Sequence, residues 1–257
     1  MISKWKMLRN NFRAAFAMFS VIPVPAADWE EGSLSFMLCF FPWIGAVCGI
    51  LSWLAGMACR RFGWDGCFAG VLLTMIPLLV TGGIHLDGLM DTADALACWQ
   101  GREQRLRILK DSHTGAFAVM RCSCFLLVMS ASAARLCPDK KSFGLYCLIF
   151  FLARSLSALG VMILPKASPE GTVAEFSRNA SEKKVILVLA IYIILAGGGM
   201  ILMDPLRGCL VLVSAGLVWL RYRYVCLKYF GGTTGDLSGY FLCLCEAAAG
   251  LVLALLV

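Results

Sequence analysis

The sequence predicts an all-α protein: a polytopic integral membrane bundle of about seven transmembrane helices, with an N-terminal interfacial or re-entrant helix. Three observations predict it. First, 60% of the 257 residues are hydrophobic and only 15% are charged, where a soluble domain carries about a quarter. Second, the apolar residues fall in runs near the ~20 residues that span a bilayer as a helix. Third, Lys and Arg gather in alternate loops, as they do when one side of a membrane retains positive charge.

The runs are 34–57, 66–84, 115–134, 142–164, 184–203, 206–226 and 236–257. The stretch 12–22 is apolar but too short to span comfortably. Alternation puts the N-terminus and the loops 85–114, 165–183 and 227–235 on one side. That side holds Lys4, Lys6, Arg9 and Arg13, then Arg102, Arg105, Arg107 and Lys110, then Lys166, Arg178, Lys183 and Lys228. The other side holds Arg60, Arg61, Arg135, Lys140, Lys141 and Arg207. The asymmetry predicts a multi-pass membrane protein with the first side in the cytoplasm. The polar loops rich in Asp, Gly, Ser and Thr share that side, so a site built from them faces the cytoplasm. The net charge of +7 is thereby topological, and no nucleic acid partner is expected.

No repeat of 20–50 residues and no room for a soluble domain is visible, so residues 1–257 read as a single integral membrane domain. The run from Ala14 to Val24 ends in Pro23-Val-Pro25 without a small-residue cleavage pattern, and no cleaved signal is expected. The 13 cysteines lie mostly in apolar runs and form no CxxC pair. They read as small buried hydrophobes and not as zinc ligands or disulfides.

The chemistry concentrates in His85-Leu-Asp87-Gly-Leu-Met-Asp91-Thr-Ala-Asp94. On a helix, Asp87, Asp91 and Asp94 fall within a wedge of roughly 60°. Three like charges on one face repel and raise each other's pKa. A divalent cation reverses that balance, and hard carboxylate oxygens suit Mg²⁺ or Mn²⁺. The plainer reading is a solvated helix start, where Asp favours the macrodipole. Against it, the stretch abuts the apolar run 66–84, where unpaired acids are costly.

Two further polar knots fall on the same side. In Lys110-Asp111-Ser112-His113-Thr114-Gly115, Asp111 reads as a fourth ligand or general base and Lys110 as a phosphate contact. Ser112 and Thr114 read as caps for a helix beginning near Gly115. In Gly231-Gly232-Thr233-Thr234-Gly235-Asp236, the glycines permit close approach of a ligand or make a simple turn. The helix after them starts where phosphate binds well. Arg154 and Glu246 lie mid-span, each about 15 Å deep by helical rise, and are expected to pair or share a polar cavity. His85 and His113 are candidates for proton transfer or for plain hydrogen bonding.

Four segments in this order resemble the cobalamin synthases, the adenosylcobinamide-GDP ribazoletransferases. They are Phe19-Ser-Val-Ile-Pro23-Val-Pro25, Thr81-Gly-Gly-Ile-His85 through Asp94, Lys110-Asp111-Ser112 with Gly115, and Gly231-Gly-Thr-Thr-Gly235-Asp236. The resemblance implies a Mg²⁺-dependent phosphotransferase of the bacterial cytoplasmic (inner) membrane. Its substrates would be adenosylcobinamide-GDP and α-ribazole or α-ribazole 5′-phosphate, and GMP would leave. Other corrinoid-assembly enzymes and membrane lipid are the partners it implies. Carried over by position, Asp87, Asp91 and Asp94 hold metal and diphosphate, with Asp111 catalytic. His85, Lys110, Ser112, His113, Arg154, Gly232, Thr234, Gly235, Asp236 and Glu246 contact substrate. Two departures stand out: His113 where the family often has Arg, and Cys243 where it often has an acid ahead of Glu246.

The residues alone leave rivals. One is another Asp-rich membrane phosphotransferase or prenyltransferase. The Ala-Arg expected after Asp-Gly in CDP-alcohol phosphotransferases is absent. The other is a corrinoid or cation transporter using Arg154 and Glu246, with Gly197-Gly-Gly199 breaking a span.

Overall fold

A computed structural model describes residues 4–29, 34–168 and 181–257. Among them there is no strand, only an isolated bridge between Lys166 and Thr233. The helices are α1 (Lys4–Phe19), α2 (Met37–Phe62), α3 (Gly66–Thr81), α4 (Ile84–Ala97), α5 (Arg102–Ile108), α6 (Ala116–Leu136), α7 (Lys140–Ile163), α8 (Glu182–Met203), α9 (Pro205–Val225) and α10 (Gly235–Ala254). A π-helical turn, Cys226–Phe230, extends α9.

Helices α2, α6, α7, α8, α10 and α9 with its extension are each long and apolar enough to cross a membrane. The protein is a polytopic helical membrane protein. Leu127, Ile194, Leu202 and Leu217 are each more than 60% exposed on the bundle's outside, a surface that requires lipid. Helices α7 and α10 form the centre, with 72% of their most apolar stretches buried, against 28% for α6 and α8.

The run 66–84 does not continue straight into the acidic stretch. α3 and α4 meet at a 94° bend. Gly82 and Gly83 make it with φ of 64° and 80°, backbone that a side chain with a Cβ resists. α4 therefore turns across the end of the bundle and stands outside the six long spans. α1 runs from residue 4 to 19, earlier than the 12–22 stretch predicts, because polar Lys6, Arg9 and Asn10 lie on its outward face. Ala14, Ala15 and Phe16 are its buried side. Asn11 fixes its place, accepting from the Phe36 amide at 2.8 Å at the start of α2. Gly197–Gly199 lie within an unbroken α8: neighbouring helices supply the packing that helix propensity alone does not.

The loops divide between two ends as alternation requires. At one end, Arg102 donates to the Ala167 carbonyl at 3.0 Å, and the Thr233 amide donates to Pro165 at 2.8 Å. At the other, Arg60 donates to the Cys137 carbonyl at 2.6 Å and Arg135 to Ala254 at 2.8 Å, beside ion pairs of Arg207 with Asp139 and Asp204. Arg178, counted above among the loop cations, lies outside the described residues.

Candidate active site

The site is built where α4 crosses the start of α10. The seam is close because both partners are glycine there. A Cβ on Gly88 would lie 2.7 Å from the Asp236 carbonyl oxygen and 2.9 Å from its Cα. A Cβ on Gly239 would lie 2.9 Å from the His85 carbonyl oxygen. The Gly after Asp87 thus serves backbone approach between helices. Its effect is to bring Asp236, in the first turn of α10, toward the aspartates of α4.

The acids sense one another. Burial, followed by the charges of Asp87, Asp236 and Asp94, pushes the Asp91 carboxyl up to about 6. Asp87 is exposed and Asp91 half-buried, and neither carboxylate has an ion pair or hydrogen bond among the described residues.

Asp94 differs. Its carboxylate accepts from the Gly115 amide at 2.6 Å and the Ala118 amide at 2.9 Å. It caps α6 from 21 residues upstream, against the macrodipole's positive end. The cap expected from Ser112 or Thr114 is not made. Both are exposed, and α6 starts from Gly115 with no side-chain cap from that residue. An ionised carboxylate is the stronger acceptor. Asp94→Ala is expected to cost about 1–2 kcal/mol, with faster hydrogen exchange at the amides of residues 115–118. Unchanged exchange there would remove the cap.

That cap ties the 110–115 loop to α4. Within the loop, Asp111 accepts from the His113 amide at 3.0 Å and lies 2.6 Å from His113 Nδ1. The side-chain hydrogen bond holds the Asp111 carboxyl below its ordinary value and raises His113 above its own. His113 therefore keeps positive charge to a higher pH than a free imidazole. Lys110 and Ser112 are exposed alongside.

The third knot is placed differently from one of its two readings. Gly231 makes a turn with φ 70°, and Gly232 is buried against the backbone of Pro165–Ala167, where a Cβ would lie 2.5 Å from the Ala167 amide. The close approach of Gly232 is to the protein's own chain, so its proposed substrate contact has no open face. Thr234 caps α10, accepting from the Leu237 amide at 3.2 Å. Gly235 and Asp236 follow at the mouth, and a cavity of about 220 Å³ opens beside Asp87, Asp236 and Ser238.

Beneath this end, Arg154 Nη1 and Glu246 Oε1 are 2.8 Å apart, with side chains 1% and 4% exposed. The two mid-span charges pair, as their depth predicts. His85 is buried edge-on to Phe41, 5.5 Å between centroids, and its Nε2 has no hydrogen-bond partner. It lines the same cavity as Asp87 and Asp236. Sequence reading missed the Gly88–Gly239 seam and the Arg102 clamp. The Gly in Asp87-Gly88 was the available signal for the first; the second has none, since Arg102 reaches a carbonyl 65 residues away.

Fold and site together define a polytopic helical membrane protein with an acidic face at one end of its bundle. The chain matches the protein family described as Cobalamin-5-phosphate synthase over residues 11–254, and it belongs to that family. It is 39% identical over 246 residues to the adenosylcobinamide-GDP ribazoletransferase of Lachnoclostridium phytofermentans, covering 96% of this chain and 94% of that protein. The protein of the same name from Stutzerimonas stutzeri is 32% identical, covering 85% and 86%. That from Clostridium perfringens strain SM101 is 29% identical, covering 98% and 100%. No solved structure matches the chain.

Proposed function

We propose that the chain is an adenosylcobinamide-GDP ribazoletransferase. It joins the cobinamide-phosphate moiety of adenosylcobinamide-GDP to α-ribazole or α-ribazole 5′-phosphate. A ribose hydroxyl of the acceptor attacks the phosphorus that bears cobinamide, and the bond to GMP breaks with its electron pair on GMP. The observation that carries this reading is the meeting of Asp87, Asp91 and Asp236 at the α4–α10 crossing, beside the loop that Asp94 anchors.

Phosphoryl transfer asks a protein mainly for positioning and charge neutralisation. The donors fit Mg²⁺: all are carboxylate oxygens, and their mutual repulsion is relieved by a cation. No three His, Cys, Asp or Glu side chains among the described residues form a ready cage. Mg²⁺ typically takes one or two carboxylates and completes its shell with water and phosphate oxygens. Asp87 and Asp91 would hold it, since Asp94 is committed to the cap of α6. When bound, the ion supplies charge neutralisation to the diphosphate and departing GMP. Lys110 offers positive charge to the phosphates, and His113, whose charged form Asp111 favours, offers a second cation. A carboxylate of the set takes the attacking hydroxyl's proton. The excess of Lys and Arg at this end supports placing it in the cytoplasm, in the bacterial inner membrane.

The test is GMP release with cobalamin formation by the purified protein in lipid nanodiscs with Mg²⁺ and both substrates. Asp87→Asn and Asp91→Asn are expected to lose at least about a hundredfold, of the order seen when a preorganised electrostatic group is removed, with unchanged melting. No product from the native chain would overturn the reading. Full activity in chelator would overturn its metal.

A further inference from the structure

A second cavity, of about 590 Å³, lies on the far side of α4 from the acids. Ala93 and Leu96 line it, on the side of α4 turned away from Asp87 and Asp91 by helical rotation. Tyr240 and Leu244 of α10 and Arg105 of α5 also line it, and its side walls are α6 and α9 with the π-helical turn. Both pack on α10 but scarcely on each other, so the cleft opens sideways between them. Leu217 and Leu220 of α9 are exposed nearby on the outer surface, 63% and 57%, which places that opening against acyl chains.

The lining carries Arg105, Arg121 and Arg221 and no carboxylate. Arg105 is occupied: it donates twice to the Cys98 carbonyl and covers the Tyr229 ring at 4.9 Å. Arg121 and Arg221 are exposed, and their guanidinium groups have neither ion pair nor hydrogen bond among the described residues. Arg121 sits roughly 8 Å along α6 from its first residue by helical rise. A guanidinium at that depth needs water or an anion, and a second stands across the same opening. Trp99, fully exposed, and Tyr224 line the rim, the residue types that settle at headgroup level. Basic pockets between membrane helices at this level bind anionic headgroups.

We propose that this cleft holds the headgroup phosphate of an anionic phospholipid between Arg121 and Arg221. The acyl chains lie along the exposed apolar surface of α9. The opening selects a lipid: it faces sideways under α4, whereas the acids face outward at the bundle end, where soluble substrates arrive. Because α4 roofs the cleft and carries Asp87 and Asp91, an occupied cleft braces the helix that bears the site. The binding claim is independent of the proposed reaction, and its readouts need no turnover.

The experiment uses the full chain in nanodiscs of phosphatidylcholine alone or with phosphatidylglycerol at equal ionic strength. Photoactivatable phosphatidylglycerol is expected to label α6 and α9 around Arg121 and Arg221, and phosphatidylglycerol to raise the melting temperature by several degrees. The Arg121→Gln/Arg221→Gln variant is expected to cut labelling at least fivefold and abolish the shift, with unchanged melting in phosphatidylcholine. Equal melting of the native chain in both lipids, or labelling insensitive to the variant, overturns the proposal. So does displacement of the label by millimolar GMP or adenosylcobinamide-GDP, which would make the cleft a site for a soluble phosphate. If the variant does not fold, competition on the native chain decides. Unlabelled phosphatidylglycerol must displace the label where phosphatidylcholine does not, and equal displacement by both overturns the proposal.

Discussion

Replacing Glu246 by Ala, with Arg154 kept, is expected to destabilise the bundle by about 3–5 kcal/mol, the cost of leaving one member of a buried ion pair alone. Arg154 is 1% exposed, and its Nη1 donates to Glu246 at 2.8 Å and to the Phe150 carbonyl at 3.0 Å. After truncation only the carbonyl remains, and water cannot reach the guanidinium without opening the α2–α7–α10 core. The reverse change, Arg154→Ala, strands a carboxylate in the same place and is expected to cost a similar amount. The double change Arg154→Met/Glu246→Leu removes both charges and keeps volume, so it is expected to cost less than either single change. The check is a double-mutant cycle by thermal melting in one lipid mimetic. Additive single losses would show that the two charges do not act as a pair.

The same pair shows what sequence could supply. Two ionisable residues at equal depth in different spans have few ways to be satisfied, so depth alone pointed at pairing. The spans were legible for a related reason: without water, backbone groups must close their hydrogen bonds within the segment, and apolar length then reports helix. The acidic face was legible because i, i+4 and i+7 repeat on a helix whatever surrounds it. What failed were features set by tertiary neighbours. Local capping rules pointed to Ser112 and Thr114, but the α6 amides are bonded by Asp94, which no local pattern near Gly115 indicates. The division among three similar aspartates followed only from that contact. Gly82–Gly83 fall inside the run read as one span, 66–84, and only the fold shows the 94° bend there. The cationic cleft joins residues of α4, α5, α6, α9 and α10, and nothing in any one segment marks it.

Gly88→Ala is expected to damage activity strongly. In an ordinary helix interior Gly to Ala is favourable by roughly 1 kcal/mol. Here the added methyl would stand 2.7 Å from the Asp236 carbonyl oxygen and 2.9 Å from its Cα. Those atoms are backbone in the first turn of α10 and have no rotamer by which to move aside. α4 must therefore shift against α10, at a packing cost of about 1–3 kcal/mol. The same shift separates Asp87 and Asp91 from Asp236, and a displacement near 1 Å can cost about a hundredfold in rate. GMP release is accordingly expected to fall at least tenfold in molecules that remain folded. Gly198→Ala is the control: its Cβ meets nothing within 4 Å, so the change should leave melting equal or higher and turnover intact. Should the two variants behave alike in melting and in GMP release, the α4–α10 crossing does not hold the acids in place, and Gly88 would be no more than a turn-neutral position in a helix.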